Sequence, residues 1–340
     1  MCSKNTKILK IDDKSLKYAK NLIEGEDLVA FPTETVYGLG ALATSDVAVK
    51  RIYEAKGRPQ DNPLIVHVHK DYDLTKLVYV ENDYAYKLMK AFTPGPLTMI
   101  YKSKGVVSPA VSCGLDTIGI RIPSHEGCQR FLKYLDLPIA APSANVSKHT
   151  SPVTAEHVFD DLNGKIDLIL DGGKCSGGIE STVLDVTTST PIILRSGLVT
   201  RDMIKSVVGK CEYGDSKPTD KVRSPGVKYR HYCPKCETAL FKRDELDKAA
   251  ALYNEYVRAG KKPYYMCDEN LADVLIKNGE NFLNLGRTGT EVASNLYYKL
   301  LEGEKVADII IAFNVDTGSE VDISVMNRLQ KACKPKSDND

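Results

Sequence analysis

Short apolar runs, each closed or followed by polar residues, set the rhythm of residues 1–208. Runs at 28–31, 64–69, 97–101, 117–122, 139–141, 168–170, 182–186 and 192–194 are bounded like strands, and 46–56, 83–91, 126–135, 154–161 and 201–207 are spaced like helices. The helix at 46–56 is predicted to start on a Ser45 cap and to stop at Gly57. So many strands at irregular spacing, interleaved with helices, predict one large mixed sheet with helices packed on it. From residue 238 the pattern becomes a regular alternation. Strands at 238–241, 263–267, 282–285 and 308–313 take turns with helices at 244–259, 270–278, 290–302 and 319–332, as in a small parallel α/β domain. Gly286-Arg287-Thr288-Gly289 follows a strand there but lacks the Gly-x-Gly-x-x-Gly spacing, so no dinucleotide is expected.

Residues 209–236 lose both rhythms and become rich in Gly, Pro, Lys and Tyr. They predict a basic interdomain linker between a domain at 1–208 and a second at 237–334, with 335–340 as a disordered tail. The length of 340 residues agrees, being more than one core usually carries. Net charge is only +1, which excludes a general nucleic-acid footprint and leaves any tRNA contact local. The basic excess is concentrated in residues 206–236, with seven Lys and Arg against three Asp and Glu. Nine cysteines without a repeated spacing, and a first segment without an apolar signal core, fit a reducing cytoplasm. No run approaches the roughly 18–20 apolar residues that span a bilayer.

Candidate chemistry sits at the ends of these elements. Lys56-Gly57-Arg58 closes a helix, where cations answer either the helix dipole or an anionic ligand. No Gly-x-x-x-x-Gly-Lys-Ser/Thr is present, so a triphosphate would have to be gripped by side chains, with Asn62 in the turn before Pro63 placed to help. Ser143 and Asn145 follow the run at 139–141, and Thr33, Glu34 and Thr35 follow 28–31; turn chemistry and ligand binding explain them equally well. Arg121 interrupts an apolar strand and Arg195 closes another. A buried guanidinium needs a carboxylate, from the protein or from a ligand, and two such arginines favour an anionic ligand. Cys233-Pro234-Lys235-Cys236 has zinc-like spacing without the second pair that a closed site needs. No Ser-His-Asp or Cys-His arrangement can be argued from the spacing.

Taken together, the run from Phe31 to Gly40, Lys56-Gly57-Arg58-Pro59, Pro142-Ser143-Ala144-Asn145, Ser181-Thr182-Val183 and Arg195-Ser196-Gly197 resemble the YrdC/Sua5 family of L-threonylcarbamoyladenylate synthases. The linker from Ser224-Pro225-Gly226 to His231-Tyr232 and the α/β region after it resemble the longer, Sua5-type members, with Val227 where a methionine is expected. The resemblance implies a YrdC-like twisted open sheet followed by a small Rossmann-like Sua5 domain, with the linker folding over bound nucleotide. It implies a nucleotidyltransferase that turns L-threonine, bicarbonate and ATP into threonylcarbamoyl-AMP and pyrophosphate, with Mg2+ on the ATP. The product would pass to a threonylcarbamoyl transferase that installs t6A in tRNA.

By the same resemblance Lys56, Arg58, Ser143 and Asn145 correspond to the catalytic signature, Lys56 neutralising phosphate. Arg58, Asn62, Thr117, Ser143, Ser151, Arg195 and His231 would contact ATP, and Thr35, His67, Arg121, Ala141 and Ser181 would hold threonine; no protein side chain is assigned to the metal. Two other classes compete with this expectation. One is a non-catalytic double-stranded RNA or tRNA binding module, which the near-neutral charge speaks against. The other is a carbamoyl-transfer enzyme of related fold.

Overall fold

The computed structural model describes residues 4–60, 62–214, 232–276 and 279–333. Contacts divide the chain into two units, one comprising Met1–Ser147 with Pro152–Lys228 and the other Lys148–Ser151 with Tyr229–Asp340.

The first unit is a mixed α/β structure built on a single sheet. Its strands are β1 (Lys7–Lys10), β2 (Val29–Phe31), β3 (Gly38–Leu42), β4 (Ile65–His67), β5 (Val78–Tyr79), β6 (Leu97–Ser103), β7 (Thr117–Arg121), β8 (Ile139–Ala140), β9 (Leu168–Asp171), β10 (Thr182–Asp185), β11 (Ile192–Arg195) and β12 (Glu212–Tyr213). They run in the order β1-β9-β2-β3-β8-β4-β7-β6-β10-β11-β12, with β5 on β6. Parallel pairs such as β4 with β7 alternate with antiparallel ones such as β2 with β3. Helices Asp13–Glu24 and Glu126–Leu135 bury Leu16, Ala19, Ile23, Phe131, Leu132 and Leu135 against Val29, Phe31, Ile139 and Leu168 of the sheet. Helix Asp46–Lys56 starts where Ser45 accepts from the Ala48 N–H and ends at Gly57, whose φ of 59° closes it.

Every strand expected from the apolar runs is present, with ends shifted by a residue or two. Seven elements of the first unit went unforeseen: β1, the helix Asp13–Glu24, β3, the 3-10 turn Leu74–Lys76, β5, the short helix Pro109–Ser112 and β12, which lies inside the stretch expected to be linker and pairs with β11. The helix Asp13–Glu24 carries its own signal, since Asp12 and Ser15 form a reciprocal capping box and Leu16, Ala19 and Ile23 recur at helical spacing. β3 is half glycine and alanine, and it becomes a strand only because Phe31, Ala30 and Val29 pair with Gly38, Leu39 and Gly40.

The second unit contains β13 (Glu237–Phe241), β14 (Pro263–Cys267), β15 (Phe282–Asn284) and β16 (Ile309–Phe313), all paired in parallel in the order β13-β16-β14-β15. Helices Leu246–Arg258, Glu269–Leu275, Gly289–Gly303 and Val321–Ala332 connect and follow them. Lys148–Ser151 belongs to this unit through a parallel bridge of His149 to Cys233, a Thr150 hydroxyl bond to the Tyr232 carbonyl at 3.0 Å, and His149 Nε2 at 3.0 Å from Glu304 Oε2. Among the described residues no helix is long and apolar enough to cross a membrane.

Candidate active site

Side chains of the first unit converge where β4, β6 and β7 run side by side. In register, His67 of β4 lies opposite Arg121 of β7, and Arg121 lies opposite Thr98 of β6. Residues directly opposite share a face of the sheet, so this lateral row gathers three polar side chains inside an otherwise apolar wall. The Thr98 hydroxyl is 2.8 Å from the Ser181 hydroxyl, which extends the row to the start of β10. Ser181 in turn is held by Arg195, whose Nε and Nη2 donate to its carbonyl at 3.1 and 3.0 Å.

The loop between β2 and β3 closes over the same place. Thr33 folds it locally, its hydroxyl donating to the Val36 carbonyl at 2.7 Å and lying 2.9 Å from the Thr35 hydroxyl. Arg121 Nη2 reaches the Thr33 hydroxyl at 3.4 Å and Glu34 Oε1 at 2.8 Å. The second oxygen of Glu34 accepts the Ser124 N–H at 3.0 Å, and the Glu34 backbone carbonyl accepts the Gly177 N–H at 2.6 Å. The carboxylate that Arg121 required is therefore supplied by the protein, and Glu34 is a buried counter-ion. Even so, Arg121 Nε is buried with no hydrogen-bond partner. An unsatisfied guanidinium N–H costs free energy comparable to a lost bond, unless a ligand arrives to accept it.

His67 is buried in this row beside Arg121, edge-on to Phe31 with ring centroids 5.8 Å apart. Its Nδ1 donates to the Ile65 carbonyl at 3.2 Å. Burial first, and then the Arg121 charge, push its pKa down to about 3, so the imidazole is neutral at physiological pH and acts by hydrogen bonding rather than as a cation. Ala141 follows β8 and donates its N–H to the Ile65 carbonyl at 2.9 Å. Thr35, His67, Arg121, Ala141 and Ser181 are thus brought together by neighbouring strands and by bonds through Thr33 and Thr98.

A second cluster forms around the loop after β8. The Ser143 hydroxyl donates to Asn145 Oδ1 at 2.5 Å, and the Asn145 amide donates to the Val146 carbonyl at 2.8 Å. Lys56 points into this loop. Its Nζ donates to the carbonyls of Ser143 and Asn145 and lies 3.5 Å from Asn145 Oδ1. Burial and the Arg58 guanidinium push the Lys56 amine well below the usual lysine range, while Asp161 pulls against them. Without ligand, the Lys56 amine is bonded to protein oxygens. Arg58 is half-buried and donates to the Asn62 carbonyl at 3.2 Å. The Asn62 side chain is buried with neither its oxygen nor its nitrogen bonded. An amide left bare in this way favours a site that a polar ligand completes.

The remaining expectations fall elsewhere. Thr117 and Arg121 share a face of β7 at its two ends, about 13 Å apart at the usual strand rise, so no single functional group touches both. Ser151 is buried in the segment that belongs to the second unit, and His231, with the basic residues 215–231 around it, lies outside the described residues. Gly197, after Arg195, packs so tightly on the strand start that a Cβ there would lie 2.3 Å from the Thr182 nitrogen. Only glycine allows that approach. In the second unit the strand ends are closed by the chain's own carboxylates: Glu291 takes the N–H groups of Arg287 and Thr288 at 2.9 Å each, and Asp322 takes that of Thr317 at 2.7 Å. Cys233 and Cys236 form part of no group of three or more metal-type ligands among the described residues.

Comparison with known proteins also finds two parts, with the boundary at residue 198 instead of 228. Residues 21–197 match the family model for Sua5, YciO and YrdC proteins, described as "Telomere recombination", and residues 199–333 match "Threonylcarbamoyl-AMP synthase, C-terminal domain". The chain belongs to the threonylcarbamoyl-AMP synthase family. It is 40% identical to the threonylcarbamoyl-AMP synthase of Pyrococcus abyssi, over 95% of both chains. It is 42% identical to that of Bacillus subtilis, over 95% of this chain and 94% of the other. A crystal structure of P. abyssi Sua5 complexed with L-threonine superposes with a TM-score of 0.86 at 38% identity, covering 97% of each chain.

Sequence reasoning missed Thr98 and Asp161 and left Glu34 open between a turn role and ligand binding. Thr98 had a faint signal, as the polar position inside the apolar run at 97–101. The partnership of Glu34 with Arg121 joins residues 87 positions apart and had none.

Proposed function

We propose that this protein condenses L-threonine, bicarbonate and ATP into L-threonylcarbamoyl-AMP and pyrophosphate, a nucleotidyl transfer. The observation that carries the reading is Arg121. It is buried, anchored on one side by Glu34, and keeps Nε without an acceptor, as a receptor for one small carboxylate would. Thr35, His67, Ala141 and Ser181 complete the amino-acid seat. Arg58, Asn62, Ser143, Arg195 and, farther along β7, Thr117 line the nucleotide seat. A triphosphate attached to a nucleoside is long enough to engage both ends of β7.

In this reading the threonine ammonium gives one proton to bicarbonate, which breaks into CO2 and water; the free amine then bonds to the CO2 carbon and releases a second proton to solvent, giving a carbamate. A carbamate oxygen then bonds to the α-phosphorus while the bond from that phosphorus to the bridging oxygen of pyrophosphate breaks. The chain's part is to hold the carboxylate on Arg121, to keep His67 neutral beside it, and to place the phosphates against Arg58 and Arg195, which stabilises charge as it moves onto the leaving group. Mg2+ is assigned to the triphosphate oxygens, with no protein side chain given to it; such an ion keeps most of its ligands from phosphate and water. When bound, the ion neutralises phosphate charge. The product is proposed to go, in the cytoplasm, to a threonylcarbamoyl transferase acting on tRNA. The test is pyrophosphate release from ATP by the purified full chain. Release that requires both L-threonine and bicarbonate is expected, and ATP turnover indifferent to threonine would overturn the reading.

A further inference from the structure

We propose that Lys56 and Asp161 form a buried brace that sets the shape of the loop carrying Ser143 and Asn145, and that neither touches the nucleotide. This rests on the nucleotide role proposed above for Ser143, whose hydroxyl is bonded to Asn145.

Lys56 Nζ gathers oxygens from the first half of the loop, the carbonyls of Ser143 and Asn145 and, at 3.5 Å, the Asn145 amide oxygen. Its own backbone carbonyl accepts the Ser147 N–H at 2.8 Å. From the other side Asp161 Oδ2 accepts the Val146 N–H at 3.1 Å. Residues 143–147 are thereby tied to a lysine and to a carboxylate whose charge acts on it. The placement of Asp161 is unusual for an acid. On helix Ala155–Leu162 it lies on the inward side with Ala155, Val158 and Leu162, all buried. A carboxylate on such a face is costly to desolvate unless its oxygens are used and its charge is matched. Here one oxygen takes a loop amide, and the charge favours the ammonium form of Lys56 against burial and Arg58. Two of the amine's donors are spent on loop carbonyls, so its value is orientation: it holds the Ser143 hydroxyl and the Asn145 amide in one arrangement before ligand arrives.

The sign of one substitution separates this from simple electrostatics. Asp161 is an anion close to a seat for a polyanion, so on charge alone Asp161→Ala should tighten ATP binding. As a brace it should weaken it, by about tenfold, the usual cost of leaving a buried donor unpaired. Asp161→Asn, which keeps an acceptor for Val146, should recover part of that loss. The measurement is calorimetric titration of the full chain with ATP, beside hydrogen exchange of the peptide spanning residues 143–147 without ligand. We expect faster exchange there in Asp161→Ala and L-threonine affinity within about twofold of wild type. Unchanged or tighter ATP binding, or unchanged exchange, refutes the brace. If wild type itself fails to bind ATP, the nucleotide reading falls, and the exchange result still decides the brace. Should Asp161→Ala not fold, Asp161→Asn carries the test, with a smaller loss of ATP affinity and of protection expected and none refuting it.

Discussion

Replacing Glu34 by alanine tests the centre of the amino-acid seat. The side chains of Glu34 and Arg121 are 10% and 5% exposed and meet at 2.8 Å, so the substitution strands a guanidinium inside the protein rather than at its surface. Removing one partner of such a pair costs about 3–5 kcal/mol. The Ser124 N–H, now without the Glu34 oxygen at 3.0 Å, adds to the loss, which we place near 4 kcal/mol overall because neighbouring contributions do not sum fully. An exposed pair provides the comparison: Lys133 and Asp71, 68% and 53% exposed at 3.1 Å, should lose about 0–1 kcal/mol in Lys133→Ala. Urea unfolding followed by tyrosine fluorescence suits a chain with eighteen tyrosines and no tryptophan. L-threonine should restore part of the stability of Glu34→Ala, since its carboxylate can replace the missing charge at Arg121. The double substitution Glu34→Leu with Arg121→Met should recover most of the stability and none of the response to threonine. A Glu34→Ala loss no larger than that of Lys133→Ala would show that the pair is not a buried counter-ion arrangement, and the reasoning would fail.

Two further outcomes follow from buried polar groups. Asn62→Leu should raise the stability of the ligand-free protein by about 1 kcal/mol, because neither amide atom of Asn62 has a partner to lose, while weakening ATP binding; a less stable ligand-free variant would contradict the placement. His67 has a folded pKa of about 3 against about 6.5 unfolded, so between those values only the unfolded chain takes the proton. Stability should therefore rise with pH across that window and fall away on acidification below 6.5, by up to about 1.4 kcal/mol per pH unit from this residue. His67→Gln should flatten the slope between pH 6.5 and 5 in unfolding experiments, and an unaltered slope would remove His67 as the cause.

Residue order alone carried much of this. Apolar runs located the strands from 28–31 to 192–194 because a strand buried on both faces is mostly apolar along its length. The same reasoning flagged Arg121, since a charge within such a run demands a partner. It could not say which partner, because Glu34 comes from a loop 87 residues earlier. Lys56 shows the opposite limit. A lysine beside an arginine at a helix end reads as a pair of anion receptors, and only the course of residues 143–147 around its amine reveals that it serves the protein's own carbonyls.

By itself the sequence determined the mixed α/β class, the change to regular alternation after residue 237, and the motifs that mark the family. These are local properties, set by side-chain spacing along a few turns or a few strand residues, and by short runs that no distant contact alters. Tertiary structure decided what those residues do to one another. Strand register placed His67, Arg121 and Thr98 in one row, and the fold of the loops gave Arg121 its carboxylate and Lys56 its carbonyls. Charge pairing and hydrogen bonding act over a few ångströms of space, and the chain brings such partners together only when strands far apart in order lie side by side.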